Sequence, residues 1–558
     1  MCVILSFYLR YFCDSIIVEH IKLGRTMIKK IFIQNYKIFT SFELEFNNEL
    51  NLIVGDNEAG KSTILEAINL ALSKRLDGNF IEYELTPFLF NRSCVIEYLK
   101  SLKSGKPSRL PEIIIELYFD ESSDMESFRG SMNSKKEDAI GVKLEIVFDE
   151  DYKEDYENLL KKQSKRLTSI PAEFYKVQWF SFANKQITRR KVPVRLSYID
   201  ATTIRLKSGT DYYLQDIIQT GLDSKERVGL SVAYRSLKET FSQEDSIRSI
   251  NDSLKSKKGI ISNKDLSISI DVSQKSNWEG SLVPHLDELP FHLIGKGEQS
   301  ALKIMLALER KADESNVILI EEPENHLSFS SMNTLVSRIR DRCENKQIII
   351  TTHSAYVLNK LGLEHLILIY GNEISKLKNL SPETQSYFKR LSGYDTLRLV
   401  LAKKAILVEG PSDELIVQKA YFSKHKKLPI EDGVDVINVR GLSFSRFLDI
   451  AKELKKEVVV VTDNDGDYHK NVEEKYADYS DEANISICAS DNDTLTTLEP
   501  QIANCNALKF LNSVLGRSEP DKDSLCDYMQ KNKTLCALKI FESSSEIEFP
   551  QYIKNAIE

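Results

Sequence analysis

Val317-Ile-Leu-Ile-Glu-Glu-Pro-Glu-Asn-His-Leu327 is the segment from which the rest of this chain can be placed. Four apolar, mostly β-branched residues followed by two carboxylates predict a strand that is buried on both faces and ends at an active site. Such a strand end is typical of nucleotide hydrolysis, in which Glu321 would hold Mg²⁺ through water and Glu322 would polarise the attacking water. An ordinary strand end with a solvated glutamate pair is the alternative.

A phosphate-binding loop lies much earlier in the chain. The segment Gly55-Asp-Asn-Glu-Ala-Gly-Lys-Ser62 is a full G-x4-G-K-[ST] match between a strand pattern and a helical pattern. The glycines let backbone N–H groups surround phosphate oxygens, Lys61 reaches the β and γ phosphates, and Ser62 ligates Mg²⁺. This context favours a nucleotide site over a glycine-rich turn without a ligand. The expected nucleotide-binding residues are Gly55, Asn57, Gly60, Lys61, Ser62 and Thr63.

A second glycine-rich segment, Gly295-Lys-Gly-Glu-Gln299, opens a long amphipathic helical pattern. The N-terminus of a helix attracts anions, and no second lysine of the phosphate-binding type accompanies this one. Gly295, Gly297 and Glu298 therefore suit a loop that reads the γ-phosphate of a nucleotide held by another subunit.

A histidine follows the next buried-strand pattern, Gln347-Ile-Ile-Ile-Thr-Thr-His353. A lone histidine in this position is more often structural. Because it comes after the two glutamates of the first segment, we interpret His353 as the sensor of the γ-phosphate.

In identity and order, these segments resemble the ABC-type ATPase heads of the SMC and RecF group. The resemblance extends over roughly residues 27–375 and implies that ATP is sandwiched between two heads, and therefore a homodimer or a higher homo-oligomer. One position departs from the family pattern, because Glu321 stands where the family often has aspartate.

A second acidic site is predicted in the last third of the chain. One buried-strand pattern ends in Glu409-Gly, with Asp413 shortly after it, and another ends in Asp463-Asn-Asp-Gly-Asp467. Carboxylates at i and i+2 leave a strand tip on the same side and can ligate one or two divalent ions, with Glu409 from the neighbouring strand. Crowding so many negatively charged carboxylates together is unfavourable unless a cation neutralises them. The segment also matches part of a Ca²⁺ loop, but its glycine comes late and the closing glutamate is missing.

Glu409-Gly with Asp413, followed by Asp463-x-Asp465, resembles the Toprim domain over about residues 402–515. An ABC-type head followed by Toprim resembles the OLD (overcoming lysogenization defect) family of nucleases, including the Gabija anti-phage type, which Val408-Glu-Gly-Pro-Ser412 also resembles. The resemblance implies that Glu499 joins the acidic cluster and that Lys533 stabilises the phosphorane or the leaving oxygen, with Lys531 as a rival.

The activity implied by this resemblance is ATP-regulated, metal-dependent cleavage of DNA, with a role in anti-phage defence and a UvrD-like helicase as a partner. All-oxygen ligands favour Mg²⁺ or Mn²⁺. Two ions would activate water and support the leaving 3′-oxygen. The expected metal ligands are Glu409, Asp413, Asp463, Asp465 and Glu499 in the acidic cluster, and Ser62 and Glu321 in the ATPase.

The predicted fold class is α/β: an ABC/SMC-like ATPase head with a helical dimerisation insertion, followed by a C-terminal, Rossmann-like Toprim domain. The expected segments are a dispensable N-terminal extension (1–26), the two parts of the head (27–203 and 272–385), the insertion (204–271), a linker helix (386–401) and the Toprim domain with C-terminal helices (402–558). Residues 541–558 are expected to form a closing helix without a site of its own.

Composition limits the function classes. The 558 residues are 42% apolar and 28% charged, which is typical of a globular protein with several cores. The net charge of −8 argues against a protein that coats nucleic acid. Two basic clusters, at 161–166 and 189–191, are candidates for DNA contact, although most such runs are solvated faces.

The location expected from the sequence is the cytoplasm, without membrane contact. The apolar residues 1–13 are shorter than the roughly 20 residues that span a bilayer. The eight cysteines show no CxxC pair, which favours reduced thiols.

Two other function classes stay open at this stage. One is a non-cutting DNA-repair clamp of the RecF/SMC type, and the other is a nucleotide-sensing scaffold for a partner helicase. The intact carboxylates argue against the clamp.

Overall fold

The computed structural model describes residues 26–104, 108–163, 167–187, 192–200, 206–207, 210–211, 223–256, 264, 266–269, 278, 283–309, 316–342, 346–371, 373–377, 379–390, 395–440 and 444–558. The strands are β1 (Ile28–Tyr36), β2 (Phe39–Glu45), β3 (Leu50–Gly55), β4 (Arg75–Leu76), β5 (Asn79–Phe80), β6 (Ile113–Phe119), β7 (Arg129–Gly130), β8 (Ala139–Phe148), β9 (Tyr175–Ser181), β10 (Leu196–Asp200), β11 (Leu206–Lys207), β12 (Thr210–Asp211), β13 (His285–Leu286), β14 (Leu289–Pro290), β15 (Val317–Glu321), β16 (Gln347–Thr351), β17 (Leu366–Tyr370), β18 (Glu373–Lys376), β19 (Lys404–Val408), β20 (Val434–Asn438), β21 (Glu457–Val461) and β22 (Ile485–Cys488).

The α-helices follow the same order along the chain. They are α1 (Lys61–Ser73), α2 (Arg92–Lys103), α3 (Lys153–Gln163), α4 (Ser224–Gln243), α5 (Asp245–Lys255), α6 (Lys296–Glu309), α7 (Phe329–Arg342), α8 (Ala355–Leu361), α9 (Pro382–Arg390), α10 (Thr396–Leu401), α11 (Pro411–His425), α12 (Phe444–Leu454), α13 (Leu498–Cys505), α14 (Leu508–Leu515), α15 (Lys522–Lys531), α16 (Lys533–Glu542) and α17 (Gln551–Ala556).

The first part of the head is an antiparallel sheet with the strand order β2-β1-β6-β8, to which β7 and β9 also pair through β8. Residues before β1 already belong to this unit, because Thr26 is buried and its hydroxyl lies 3.0 Å from that of Ser122. The expected boundary at residue 27 stays a prediction, and the buried Thr26 lies directly before it. Residues 1–25 lie outside the described part of the chain.

The second sheet of the head has the order β10-β15-β16-β3-β17-β18, and its strands are parallel except for the edge pair β17–β18. The predicted burial of β15 on both faces is confirmed. Val317 and Leu319 enter the core shared with the antiparallel sheet and α1, while Ile318 and Ile320 enter the core formed with α6–α8. Because both faces are covered, a continuous apolar run fits this central position.

The insertion begins differently from the expectation. Residues 206–207 and 210–211 pair as two short antiparallel strands, β11 and β12, instead of forming a helix. Helices occur later, in α4 and α5, where the polar, Lys- and Glu-rich pattern predicted them. Residues 212–222 of the expected insertion lie outside the described residues, as do 164–166 and 189–191 of the basic clusters.

The last unit is a parallel sheet, β20-β19-β21-β22, with helices on both faces. On β21, Val458 and Val460 face one core, and Val459 and Val461 face the other. Strand β20 starts at Val434, directly after the 3₁₀ turn Pro429–Asp432 and Gly433. This doubly covered parallel sheet agrees with the predicted Rossmann-like architecture.

The two units share a hydrophobic core. Side chains of the head sheet and of α9 and α10 join side chains of β19, β20 and α12 in one buried cluster. The expected linker helix is therefore a packed junction: α10 lies wholly within the predicted 386–401, and α9 begins at Pro382. Across the described ranges, none of the helices is both long enough and apolar enough to cross a bilayer.

Candidate active sites

The phosphate-binding loop connects β3 to α1, and two of its glycines are required by their surroundings. Gly60 has a left-handed φ of 89°, and a Cβ atom there would lie 2.4 Å from the ring of Phe39. A Cβ atom at Gly55 would lie 2.6 Å from the carbonyl oxygen of Ile369. Both contacts are too close for a side chain, so the loop keeps its backbone accessible at the start of α1.

Lys61 is buried at the start of α1 and turns back over the loop. Its Nζ donates to the carbonyl oxygens of Gly55 at 3.0 Å and of Asp56 at 2.9 Å. Burial lowers the pKa of Lys61, against the opposing effect of Glu322 and other nearby carboxylates. Phosphate oxygens that bind here can therefore replace the two carbonyl oxygens as hydrogen-bond acceptors of the Lys61 ammonium.

A cavity of about 320 Å³ opens beside this lysine. Its lining includes predicted nucleotide-binding residues from the loop, namely Asn57, Gly60, Lys61, Ser62 and Thr63, together with Glu322 and His353. Lys37 and Ile38, from the turn between β1 and β2, also line it and were not predicted. The signal for them is weak, because that turn belongs to a different sheet and carries no nucleotide motif.

The two glutamates after β15 differ in their surroundings. Burial raises the pKa of Glu321, whereas hydrogen bonds from Ser62 and from the Tyr198 hydroxyl, at 3.0 Å, lower it. Glu321 and Ser62, the expected magnesium ligands, are therefore brought together. Glu322 instead adopts a left-handed φ of 44° and lies at the cavity wall.

His353 faces Glu322 across the cavity. Its Nε2 atom lies 3.6 Å from Oε1 of Glu322, whose Oε2 accepts a hydrogen bond from Asn325 at 2.7 Å. Burial and the nearby Lys61 lower the pKa of His353. A neutral imidazole beside a fixed carboxylate is suited to orienting water near a terminal phosphate.

The glycine-rich segment at the start of α6 lies around a different cavity. Gly295, Gly297 and Glu298 line a groove of about 900 Å³ between α6 and α7, away from Lys61. A Cβ atom at Gly297 would lie 2.1 Å from the carbonyl oxygen of His326, so this glycine allows α6 to pack on the turn after β15. Contact with the nucleotide of a second subunit stays a prediction for these residues.

The acidic cluster forms where the strands of the last sheet end. Glu409 follows β19, Asp463 lies two residues after β21, and Asp413 and Glu499 lie in the first turns of α11 and α13. The Thr462 hydroxyl donates to Oε1 of Glu409 at 2.6 Å. The Asp463 backbone N–H also donates to this oxygen, at 3.2 Å. Two neighbouring strands thus fix one carboxylate.

Burial and mutual repulsion disfavour the ionised form of two acids in the cluster. Burial, Glu409 and Glu499 raise the pKa of Asp413 to about 7. Burial together with Asp413, Glu409 and Glu499 raises the pKa of Asp463 to about 8, against the effect of Lys533. Without a compensating cation, both carboxyl groups therefore hold protons near neutral pH.

Asp465 is not part of this arrangement. Strand β21 ends at Val461, so the alternation of a strand does not continue to positions 463 and 465. Asn464 is buried and bonds the carbonyls of Ser490 and Asn492, and Asp465 is exposed with a left-handed φ of 47°. The geometric argument that placed Asp463 and Asp465 on one side of a strand is therefore wrong, and the metal role of Asp465 stays a prediction.

Lys533 lies beside the cluster. Its Nζ is 3.7 Å from Oε2 of Glu499, and the Thr497 hydroxyl donates to the same oxygen at 3.0 Å. Lys533 begins α16, which packs on α11. Lys531, at the end of α15, is exposed and makes no ion pair with the described residues. The geometry favours Lys533 over its rival.

Tyr552, in α17, lies near the acidic cluster, which the sequence did not indicate. It is buried in the core beneath the cluster, and α17 packs against β21 and β22. Burial and the carboxylates of the cluster raise the pKa of Tyr552 well above its usual value. That residues 541–558 carry no site of their own stays a prediction, although this phenol lies within electrostatic reach of the acidic cluster.

The donor set suits a divalent cation. All four acids offer oxygen ligands, and the raised pKa values of Asp413 and Asp463 indicate that a positive charge would be stabilised there. As the side chains stand, the described residues contain no group of three or more His, Cys, Asp and Glu spaced to hold a metal ion. A cation would therefore have to draw the carboxylates closer together.

Comparisons with known proteins match both parts of the chain. Residues 27–358 match the family model described as AAA ATPase domain. Residues 400–465 match that of the TOPRIM domain of overcoming lysogenization defect protein-like proteins.

Two of the relatives come from Bacillus cereus. The chain is 24% identical to Endonuclease GajA of strain VD045 over 78% of this chain and 74% of the relative. It is 21% identical to Endonuclease GajA of strain HuB5-5 over 77% of this chain and 72% of the relative. Among solved structures, the C-terminal region of the Xanthomonas campestris pv. campestris OLD protein is 20% identical over 28% of this chain and 90% of that chain, with a TM-score of 0.23.

Proposed function

This chain belongs to the AAA ATPase domain family, whose model matches more than half of its length, and it carries an OLD-like TOPRIM domain. From this premise we propose that it is an ATP-regulated, divalent-metal-dependent DNA endonuclease. The matches to two endonucleases over about three quarters of the chain support the reaction class. The predicted order of an ATPase head followed by a Toprim domain is confirmed.

One structural observation carries the proposal: the buried acidic cluster formed by Glu409, Asp413, Asp463 and Glu499, with Lys533 beside it. A purely structural domain would not retain four like charges at a sheet edge, because each raises the free energy of the others' ionised form. Phosphodiester hydrolysis requires this kind of site, since cations held there can contact both the scissile phosphate and the attacking water.

The division of labour in the cluster follows from its contacts. Glu409 is fixed by Thr462 and by the Asp463 backbone, so it suits a ligand of defined position. Asp413 and Asp463 would ionise fully only when a cation is bound. The cation, Mg²⁺ or Mn²⁺ in this proposal, supplies Lewis-acid activation of water. The Lys533 ammonium, half-exposed next to Glu499, is placed to stabilise negative charge on the phosphate or the leaving oxygen.

The ATPase head provides regulation in this proposal. The ATP site lies around one cavity and comprises Lys61, Ser62, Glu321, Glu322 and His353. In this proposal, these residues bind and hydrolyse ATP with Mg²⁺. Gly295, Gly297 and Glu298 contact the nucleotide of a second subunit, which makes a dimer the minimal unit. The nucleotide state then changes access of DNA to the cluster.

The biological setting is a further part of the proposal. A cytoplasmic role in anti-phage defence follows from the resemblance to Gabija-type nucleases. A UvrD-like helicase stays a predicted partner, to be tested by co-purification with the helicase of that class.

The experiment is cleavage of supercoiled plasmid and linear duplex DNA in Mg²⁺ or Mn²⁺, with and without ATP. It compares the wild type with Glu409→Gln and with Glu457→Gln as the matched control. Glu457 is an exposed acid at the opposite end of β21 and forms an ion pair with Lys404, at 3.4 Å, on the neighbouring strand. We expect Glu409→Gln to lose at least about 100-fold in cleavage rate and Glu457→Gln to retain wild-type activity.

The outcomes separate the function classes. Cleavage that Glu409→Gln abolishes and ATP alters supports the gated nuclease. Intact ATP turnover without cleavage under any condition would refute the nuclease and favour the DNA-repair clamp or the nucleotide-sensing scaffold.

A further inference from the structure

Glu324 connects the two loops that carry the catalytic groups of the ATPase. It lies in the turn after β15, two residues beyond Glu322. Its Oε1 atom accepts hydrogen bonds from the Thr352 hydroxyl at 2.8 Å and from the His353 backbone N–H at 2.7 Å. One carboxylate oxygen thus joins the end of β15 to the end of β16.

The contact extends into the helix after His353. Thr352 Oγ1 accepts a hydrogen bond from the Ser354 backbone N–H at 3.0 Å, and Ser354 Oγ accepts from the Val357 N–H at 3.3 Å. Ser354 is the N-cap of α8. The carboxylate of Glu324 is therefore the first member of a chain of hydrogen bonds that sets where His353 stands and where α8 begins.

Glu324 acts through other residues, because it does not line the nucleotide cavity. Its second oxygen, Oε2, is buried and has no hydrogen-bond partner in the described part of the chain. A buried carboxylate with one unpaired oxygen is unfavourable for folding. The two hydrogen bonds that Oε1 accepts, from the Thr352 hydroxyl and the His353 N–H, explain why a glutamate occupies this position.

We propose that Glu324 is a positioning residue of the ATPase, which holds the His353 imidazole at its 3.6 Å separation from Glu322 and so couples the sensing of the γ-phosphate to α8. The inference rests on the proposed ATPase function of the head. It adds a residue that acts on His353 and not on the nucleotide.

The kinetic test compares Glu324→Ala with Glu324→Gln. Glutamine keeps an oxygen that can accept both hydrogen bonds, so it should retain kcat for ATP within about threefold, whereas alanine should lower kcat about tenfold with little change in KM. The matched control is Glu364→Gln. Glu364 also has a buried, unpartnered Oε2 among the described residues, but it pairs with Lys389 at 3.2 Å beyond the other end of α8.

A double variant separates positioning from general damage. Because Glu324 acts through His353, Glu324→Ala combined with His353→Ala should hydrolyse ATP no more than about twofold slower than His353→Ala alone. If the reductions in kcat of the two single variants multiply in the double variant, the proposal is overturned. A wild-type kcat in Glu324→Ala would also overturn it.

Hydrogen exchange tests the contact without any ATP turnover. In the nucleotide-free protein, Glu324→Ala should accelerate amide exchange in residues 352–357, and Glu324→Gln should not. Unchanged protection in Glu324→Ala would refute the positioning role. Absence of ATP turnover in the wild type would refute the proposed function and leave this structural test intact.

Discussion

Asp463 and Asp413 keep their protons at unusually high pH because they are buried beside other acids. The pKa of Asp463 is raised to about 8 and that of Asp413 to about 7. An unfolded aspartate ionises near about pH 4. Between these values the folded state therefore binds more protons than the unfolded state, and the free energy of unfolding falls as pH rises.

Asp463→Asn is accordingly expected to stabilise the metal-free protein while abolishing cleavage. In EDTA at pH 8 the free energy of unfolding should rise by at least about 1 kcal/mol, because one buried negative charge is removed. At pH 5 the gain should shrink, since Asp463 is then protonated in the folded state. Denaturant unfolding at both pH values checks this. A destabilised variant at pH 8 would contradict the electrostatic argument.

Tyr552 gives a second prediction at the level of one residue. Its phenol is buried, and burial together with the carboxylates of the acidic cluster raises its pKa, so the hydroxyl keeps its proton. Tyr552→Phe should slow plasmid cleavage about tenfold and change the free energy of unfolding by less than about 1 kcal/mol. The control is Tyr421→Phe, which removes a hydroxyl that bonds Asp432 at 3.0 Å. Equal cleavage rates for the two variants would exclude a role for the Tyr552 hydroxyl.

At the scale of elements, α4 presents an unusual face. Leu230, Tyr234, Leu237 and Phe241 recur at helical spacing, and three of the four are exposed, with Leu237 at 64%. An apolar stripe on an exposed helix is typical of an interaction surface. The sequence predicted a dimerisation insertion here, and this stripe supports that prediction.

Leu237→Glu should therefore weaken self-association. A charge in the middle of an apolar interface is expected to raise the dissociation constant at least about tenfold. Analytical ultracentrifugation over a concentration series measures this. Ser236→Glu adds the same charge at the neighbouring exposed position and should leave association unchanged. If both variants associate like the wild type, α4 is not the interface.

The elements also show what a sequence can reveal. Buried strands that end in acids, such as β15 and β21, were predictable because a continuous apolar run and a following carboxylate are both local in sequence. Lys37, Ile38 and Tyr552 were not, because tertiary packing brings them to the sites from other elements. The position of Asp465 depends on two left-handed residues after β21, and alternation within a strand contains no information about them.

At the scale of the whole molecule, a continuous set of contacts leads from the ATPase to the acidic cluster. The Thr396 hydroxyl donates to Asn359 at 2.6 Å and so joins α10 to α8, the helix that follows His353. Arg398, also in α10, donates to Asp435 and to the carbonyl of Val436 in β20, both at 2.9 Å. Strand β20 pairs with β19, and Glu409 directly follows β19. Contiguity alone does not demonstrate coupling, so it has to be measured.

Arg398→Ala should uncouple the two activities without abolishing either. ATP turnover and cleavage without nucleotide should each stay within about threefold of the wild type, whereas the ratio of cleavage rates with and without ATP should move towards one. This expectation is the same whether ATP activates or inhibits cleavage in the wild type, because the Arg398 contact would transmit either effect. Arg517→Ala is the control, since Arg517 pairs with Glu519 at 2.7 Å among the C-terminal helices. If Arg398→Ala retains the full response to ATP, regulation does not pass through α10 and must use another connection, such as a rearrangement between subunits.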